Sequence, residues 1–297
     1  MSHIAAYTGH SDNVFAVAWS PDGRTIASAG RDRTVQIWDP VTGIQQRTLW
    51  EHGSYLLSLA WSPNSHYIAS GGTDGIVHIW DASSGSIVST YSGHVRFVRG
   101  IAWSPDGCYI ASGGEYGDST VQVWEAFTGS HIYSHGEQYR IFAVTWSPQS
   151  GRLAAGSFDG LVQVWDALSG DNVYTYRGHA GPVYCVAWSP DGAAIASAGQ
   201  DTTVRVWSPL TGETVCTYRG HAGPVKALSW SPDSKYVASG GDDMTVQVWS
   251  AATGEHVASF KEHSAWVRAV AWSPVESCIA SASGAIVRLF LLDVFKR

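Results

Sequence analysis

Charge is scarce in this chain. Of 297 residues, Asp, Glu, Lys and Arg make up 14%, against 44% hydrophobic residues, and 15 are Trp. That balance is too apolar and too aromatic for a disordered polypeptide. Long hydrophobic runs are also missing: none approaches the roughly 18 residues of a membrane-spanning helix. Met1 to His10 shows no charged flank ahead of an apolar stretch, so no secretory leader is expected. The few cysteines, Cys108, Cys185, Cys216 and Cys278, are far apart and form no CxxC pair. A zinc ribbon and a disulfide framework are thereby disfavoured, and free thiols in a reducing cytoplasm are the expectation. A net charge of −7 argues against a nucleic-acid-binding surface covering the molecule. Nowhere does a 3.6-residue apolar period persist long enough for a helix.

What the chain does have is repetition. Trp-Ser-Pro begins at Trp19, Trp61, Trp103, Trp146, Trp188, Trp230 and Trp272, at intervals of 42 or 43 residues. These seven units leave no segment for a second domain, so residues 1–297 read as one domain. A second aromatic follows in each unit: Trp38, Trp80, Trp124, Trp165, Trp207, Trp249 and Phe290. Most of these spacings are 19 residues; the third is 21 because Glu115-Tyr116-Gly117 lengthens a turn. Each unit reads as four short strands, in the first one Val14–Trp19, 25–28, 34–38 and 44–49, rich in β-branched and aromatic residues. Turn compositions such as Ser-Pro-Asp-Gly and Thr-Gly separate them. In the first strand the step from Val14 to Val17 breaks strict alternation, which a bulge near Phe15 restores by pushing that side chain outward. Four-stranded repeats of this length suit radial packing, and a ring hides most strand edges.

The units resemble the Trp-Asp (WD) repeat family. Gly9-His10 and Trp38-Asp39 frame the first unit, Gly93-His94 and Trp124-Glu125 the third, Gly178-His179 and Trp207-Ser208 the fifth. The resemblance covers essentially the whole chain and implies an all-β fold, a seven-bladed β-propeller of four-stranded antiparallel blades. The Ala-Trp-Ser-Pro-Asp-Gly style is similar to bacterial WD-repeat proteins, often fused to kinase or nucleotidase modules. Residues 4–10 match 173–179, the fourth strand of a unit and its exit loop, while nothing after Phe290 supplies that strand. The N-terminal residues 4–7 are therefore expected to complete the seventh blade.

Recurring His, Ser and Asp invite a hydrolase reading, but their number argues against it. The resemblance implies a buried hydrogen-bond chain in each blade. The matching sets are His10, Ser28, Asp32, Trp38; His52, Ser70, Asp74, Trp80; His94, Ser112, Asp118, Trp124; His179, Ser197, Asp201, Trp207; and His221, Ser239, Asp243, Trp249. A catalytic triad uses the same residue types but occurs once, whereas five copies around a ring look structural. Unit four has Glu137 and Ala155 where His and Ser belong, which removes both members of one pair together. Unit seven keeps His263 and Ser281 but has Phe290 for Trp. Blades four and seven are expected to be the least rigid. HExxH, GxSxG, P-loop and EF-hand motifs are absent, so no cofactor, metal or catalytic residue is expected.

Positions that differ between units mark where packing does not dictate the residue. On the first strand these lie six and four residues before the Trp of Trp-Ser-Pro: Asn13 and Phe15, Tyr55 and Leu57, Phe97 and Arg99, Arg140 and Phe142, Pro182 and Tyr184, Pro224 and Lys226, Trp266 and Arg268. The resemblance places them at the ring's upper entrance with the residue preceding each turn Asp: Arg31, Thr73, Gly117, Phe158, Gln200 and Asp242. Arg96, Tyr116 and Tyr139 extend the set on units three and four. Aromatics and Arg gathered on one face are typical of binding hot spots. The expected function is a non-catalytic, monomeric, cytoplasmic interaction scaffold, alone or as a sensing part of a larger signalling protein. It would bind a peptide or protein segment bearing acidic or phosphorylated groups, and neither nucleic acid nor membrane. The alternative is an enzyme or small-ligand binder using the central channel. Its lining positions, Ala16, Ser58, Gly100, Ala143, Cys185, Ala227 and Ala269, are small and uncharged, leaving little for acid–base chemistry.

Overall fold

The computed structural model describes residues 2–50, 52–115, 117–136, 139–149 and 151–292. Tyr116 and Glu137, both singled out above, lie outside them. Seven four-stranded antiparallel sheets account for all the strands among the described residues. Blade one comprises Val14–Trp19, Ile26–Gly30, Val35–Trp38 and Gln45–Leu49, from the innermost strand outward. Blades two to six repeat this order, and each innermost strand packs against the next, with Val267–Trp272 of blade seven against Val14–Trp19 of blade one. The ring is closed. Blade seven takes three strands from the C-terminal end and its outer strand from Ser2–Tyr7, which pairs Tyr7 with Val287 and Ala6 with Arg288. The closing strand starts two residues earlier than the repeat comparison suggests.

Seven hydrophobic clusters fill the seams between neighbouring blades rather than one central core. The Trp of each Trp-Ser-Pro faces such a seam. Trp61, Trp103 and Trp230 donate their indole N–H to Ala18, Ala60 and Ala187 of the preceding blade at 3.0–3.2 Å, and Trp19 reaches Ala271 across the closure. A second seam contact is legible in the sequence but easily missed. Where a Tyr stands three residues before the His of a set, it stacks on the third-strand Trp of the next blade. Tyr7 lies on Trp38, Tyr91 on Trp124, Tyr176 on Trp207 and Tyr218 on Trp249, with centroids 4.2–4.9 Å apart and nearly parallel rings. Phe260, three before His263, stacks likewise on Phe290, and His135 stacks on Trp165 from a position two before Glu137; Leu49 stands in this place before His52. Such a pair contributes ~0.5–1.5 kcal/mol beyond its buried area.

The bulge expected at Phe15 is present: register shifts between Val14 and Ala16, and at the equivalent place in all seven inner strands. The bulged side chains turn toward the mouth of the central channel, where Phe15, Arg99, Phe142, Tyr184, Lys226 and Arg268 line one cavity. Below them the blades approach too closely for large side chains. A Cβ on Gly100 would come within 2.7 Å of the Val144 amide nitrogen. No described helix is long and apolar enough to cross a membrane.

Candidate functional site

The five His-Ser-Asp-Trp sets each form a hydrogen-bonded chain. In blade one, the Trp38 indole N–H donates to Ser28 Oγ at 3.1 Å; His10 Nε2 lies 2.8 Å from that oxygen and His10 Nδ1 lies 2.7 Å from Asp32. One proton assignment satisfies every group: Trp donates to Ser, Ser to imidazole, and imidazole to carboxylate. Equivalent contacts join His52, Ser70, Asp74 and Trp80; His94, Ser112, Asp118 and Trp124; His179, Ser197, Asp201 and Trp207; and His221, Ser239, Asp243 and Trp249. Burial alone would raise the Asp243 carboxyl, but hydrogen bonds from His221 and Thr245 outweigh it and bring it down to about 2. Asp32, Asp74, Asp118 and Asp201 shift the same way for the same reasons. Folded-state values below the ordinary one mean a stabilisation complete above the usual carboxylate range and lost as pH falls through the folded value. All five Ser hydroxyls are fully buried, each behind its own Trp, so the sets present no nucleophile to a substrate.

Blade four abandons the chain by a different route from the one anticipated. Ala155 removes the acceptor that Trp165 would use. The indole N–H instead donates across the seam to the Tyr133 hydroxyl of blade three. His135, also from blade three, stacks on Trp165 at 4.3 Å and contacts Gln163 Oε1 through Nε2 at 2.9 Å. Burial pushes the Tyr133 phenol up to about 12, so it stays protonated at neutral pH. The vacated intrablade bonds are thus replaced by ties between blades.

On the upper face, nine of the predicted side chains converge on a cavity of about 730 Å³: Phe15, Leu57, Arg99, Arg140, Phe142, Phe158, Tyr184, Lys226 and Arg268. The cavity wall also includes Ser58, Gly100 and Ala143, three of the small channel-lining positions, so the cations stand at the mouth of the channel beside a small, uncharged lining. Cations and aromatics alternate. Arg140 lies over Phe158 at 5.4 Å, Arg99 over Phe142 at 5.8 Å, Lys226 over Tyr184 at 3.5 Å and Arg268 over Trp266 at 4.7 Å. Phe142 also packs edge-on against Tyr184. Arg31 and Tyr55 form a separate pair toward blades one and two, with Arg31 3.6 Å from Asp12. Arg96 and Tyr139 are exposed and Phe97 is half-buried; none of the three lines the cavity.

One residue that the sequence reading passed over changes the electrostatics. Counting back from the turn Asp selects Gly117 in the third unit. The structure puts Glu115 in that place, because its amide N–H donates to the Phe97 carbonyl as the Arg31 amide does to Asn13 and the Phe158 amide to Arg140. The two extra turn residues fall after this position, so the count slips by two. The Glu115 side chain is only 2% exposed; one oxygen accepts from Arg99 Nε at 2.6 Å and the other lies 3.8 Å from Arg140 Nη1. The Arg99–Arg140 pair therefore already holds a buried carboxylate. Removing both cations would leave that charge uncompensated and cost stability. Lys226 in turn lies 3.6 Å from Asp242. Among the described residues no cluster of three or more His, Cys, Asp or Glu could hold a metal ion.

The profile of the family described as "WD domain, G-beta repeat" matches seven times, at residues 1–39, 43–81, 85–125, 128–166, 170–208, 212–250 and 254–290. Curated relatives match over short stretches. The periodic tryptophan protein 2 homolog of Dictyostelium discoideum is 45% identical over 51 residues, 17% of this chain and 6% of that protein. The transcriptional repressor rco-1 of Neurospora crassa is 41% identical over 54 residues, 18% of this chain and 9% of that protein. The transcriptional repressor tup12 of Schizosaccharomyces pombe is 46% identical over 43 residues, 14% of this chain and 7% of that protein. The matched stretches span less than a tenth of each relative's length.

Proposed function

The chain belongs to the WD domain, G-beta repeat family, whose members generally serve as protein-interaction scaffolds, and from that premise we propose that it binds a peptide or protein segment on its upper face through acidic or phosphorylated groups, without catalysing a reaction. The observation that carries this reading is the mouth of the central channel, where four cations interleave with aromatic rings around one open cavity. Arg guanidinium groups offer planar forks to carboxylate and phosphate, and aromatic faces offer rigid contact area at small entropic cost. The repeated His-Ser-Asp sets hold the blades and their Ser hydroxyls are buried, which supports reading these sets as structural.

The test is a peptide array of acidic, phosphorylated and basic sequences, probed with the wild type and with Arg99→Gln/Arg140→Gln/Glu115→Gln. That triple variant removes two cations and the carboxylate they hold, so no buried charge is orphaned. Wild-type retention of acidic or phosphorylated peptides, weakened at least about tenfold in a triple variant of unchanged melting, is the expected result. Equal retention of basic peptides, or retention indifferent to the variant, would refute it.

A further inference from the structure

Resting on the reading that the upper face is the binding face, we propose that the channel mouth is a phosphate site, holding one tetrahedral dianion between Arg99, Lys226 and Arg268. These three are the bulged residues of the inner strands of blades three, six and seven, and all line the same cavity. Because they arise from separate blades, their side chains approach the channel axis from different directions. A carboxylate presents two oxygens in one plane; a phosphate presents three around a tetrahedron, which is the shape that suits three converging donors.

The charge count points the same way. Arg99, Arg140, Lys226 and Arg268 face two carboxylates, Glu115 and Asp242, which leaves two positive charges in excess. Phosphate on a side chain carries about −1.5 to −2 at neutral pH. Each cation is also held in place by something other than the ligand. Arg99 commits Nε to Glu115 and lies over the Phe142 ring, and among the described residues its Nη nitrogens form no hydrogen bond or ion pair. Lys226 lies between Asp242 and the Tyr184 ring. Arg268 rests on Trp266 and has no ion-pair partner among the described residues.

Burial lowers the pKa of Lys226, against the pull of Asp242 and with the help of Arg268. Arg268 is lowered likewise by burial, with Asp242 opposing and Arg99 assisting. The three groups thus share one partly desolvated field, in which an entering anion relieves mutual repulsion. The floor of Ser58, Gly100 and Ala143 leaves depth beneath the cations, and the cavity volume exceeds what a phosphate alone occupies. The rest accommodates whatever carries it, a phosphorylated side chain or a small organic phosphate.

The full chain would be titrated calorimetrically at low salt with inorganic phosphate, with a degenerate phosphoserine peptide library, and with the same library carrying Glu or unmodified Ser. Arg268→Gln is the diagnostic variant, because it breaks no ion pair among the described residues; its melting should match wild type. Phosphoserine peptides binding at least about tenfold more tightly than Glu peptides, with that advantage lost in Arg268→Gln, is the expected result. Inorganic phosphate binding that depends on Arg268, with no peptide binding, would support the phosphate site and overturn the segment-binding function. Peptides bound equally with Glu or phosphoserine and unaffected by Arg268→Gln would overturn the phosphate site and leave the function standing. No binding of either probe overturns the proposal.

Discussion

Blades four and five stand side by side in the ring and solve one structural problem in two ways. In blade five, His179, Ser197, Asp201 and Trp207 close a chain within the blade, and Tyr176 of blade four stacks on Trp207. In blade four that chain is gone; Trp165 reaches across the seam to Tyr133, and His135 replaces the stacking Tyr. The first arrangement ties a turn to two strands of one sheet. The second ties one sheet to its neighbour. The comparison shows that the indole N–H, rather than the His or the Ser, is the group that must be satisfied, because it remains buried in either case.

The largest effect should come from breaking the intrablade version. Ser197→Ala leaves both the Trp207 N–H and the His179 ring without their shared partner, and about 3 kcal/mol of stability should be lost, read from urea unfolding. A loss below about 1 kcal/mol would show that the chain does not hold the blade. A smaller effect is expected from the interblade version. Tyr133→Phe orphans only the Trp165 N–H and should cost about 1–2 kcal/mol, with faster amide exchange concentrated at the seam of blades three and four. Adding Ala155→Ser to that variant returns an acceptor to the position Ser197 occupies in blade five, and part of the loss should be recovered. If the double variant is no more stable than the single one, the two arrangements are not interchangeable.

The smallest effect sharpens the comparison through pH. Blades one, three, four and six carry Gln36, Gln122, Gln163 and Gln247 two residues before the third-strand Trp; blade two carries His78. Burial, and next the adjacent His52, lower His78 from 6.5 to about 4, with Asp74 opposing. Its Nδ1 contacts the Thr90 hydroxyl at 2.9 Å. Between those two pH values the unfolded chain binds a proton that the folded chain refuses, so this group's contribution falls as pH drops from 6.5 and levels off below about 4. His78→Gln should flatten the stability curve in that window and leave it unchanged at pH 8. A curve of unaltered slope would show that His78 is not the group responsible.

Much of this was readable before any coordinates. The interval of 42 residues, the alternation, the turn compositions and the five polar sets are each local or strictly periodic, so they survive in one dimension. The match of residues 4–10 with 173–179 was enough to place the closing strand. The four Tyr-on-Trp stacks beginning with Tyr7 on Trp38 obey a fixed offset too, but they join different units, and a comparison made within units does not see them. Glu115 was lost for another reason: a two-residue insertion moves the turn Asp relative to the strand, and only the backbone hydrogen bond to Phe97 restores the alignment.

The sequence by itself determined the number of blades and their strand order, because each depends on spacing within one repeat and the chain repeats it seven times; the five inner polar chains followed from its resemblance to the WD-repeat family. The tertiary structure alone decided which aromatic ring each upper cation covers, which carboxylates face those cations, and how Trp165 finds its acceptor. Those depend on distances between residues of different blades, set by the curvature of the closed ring and by the depth to which each side chain is buried, and no spacing along the chain encodes them.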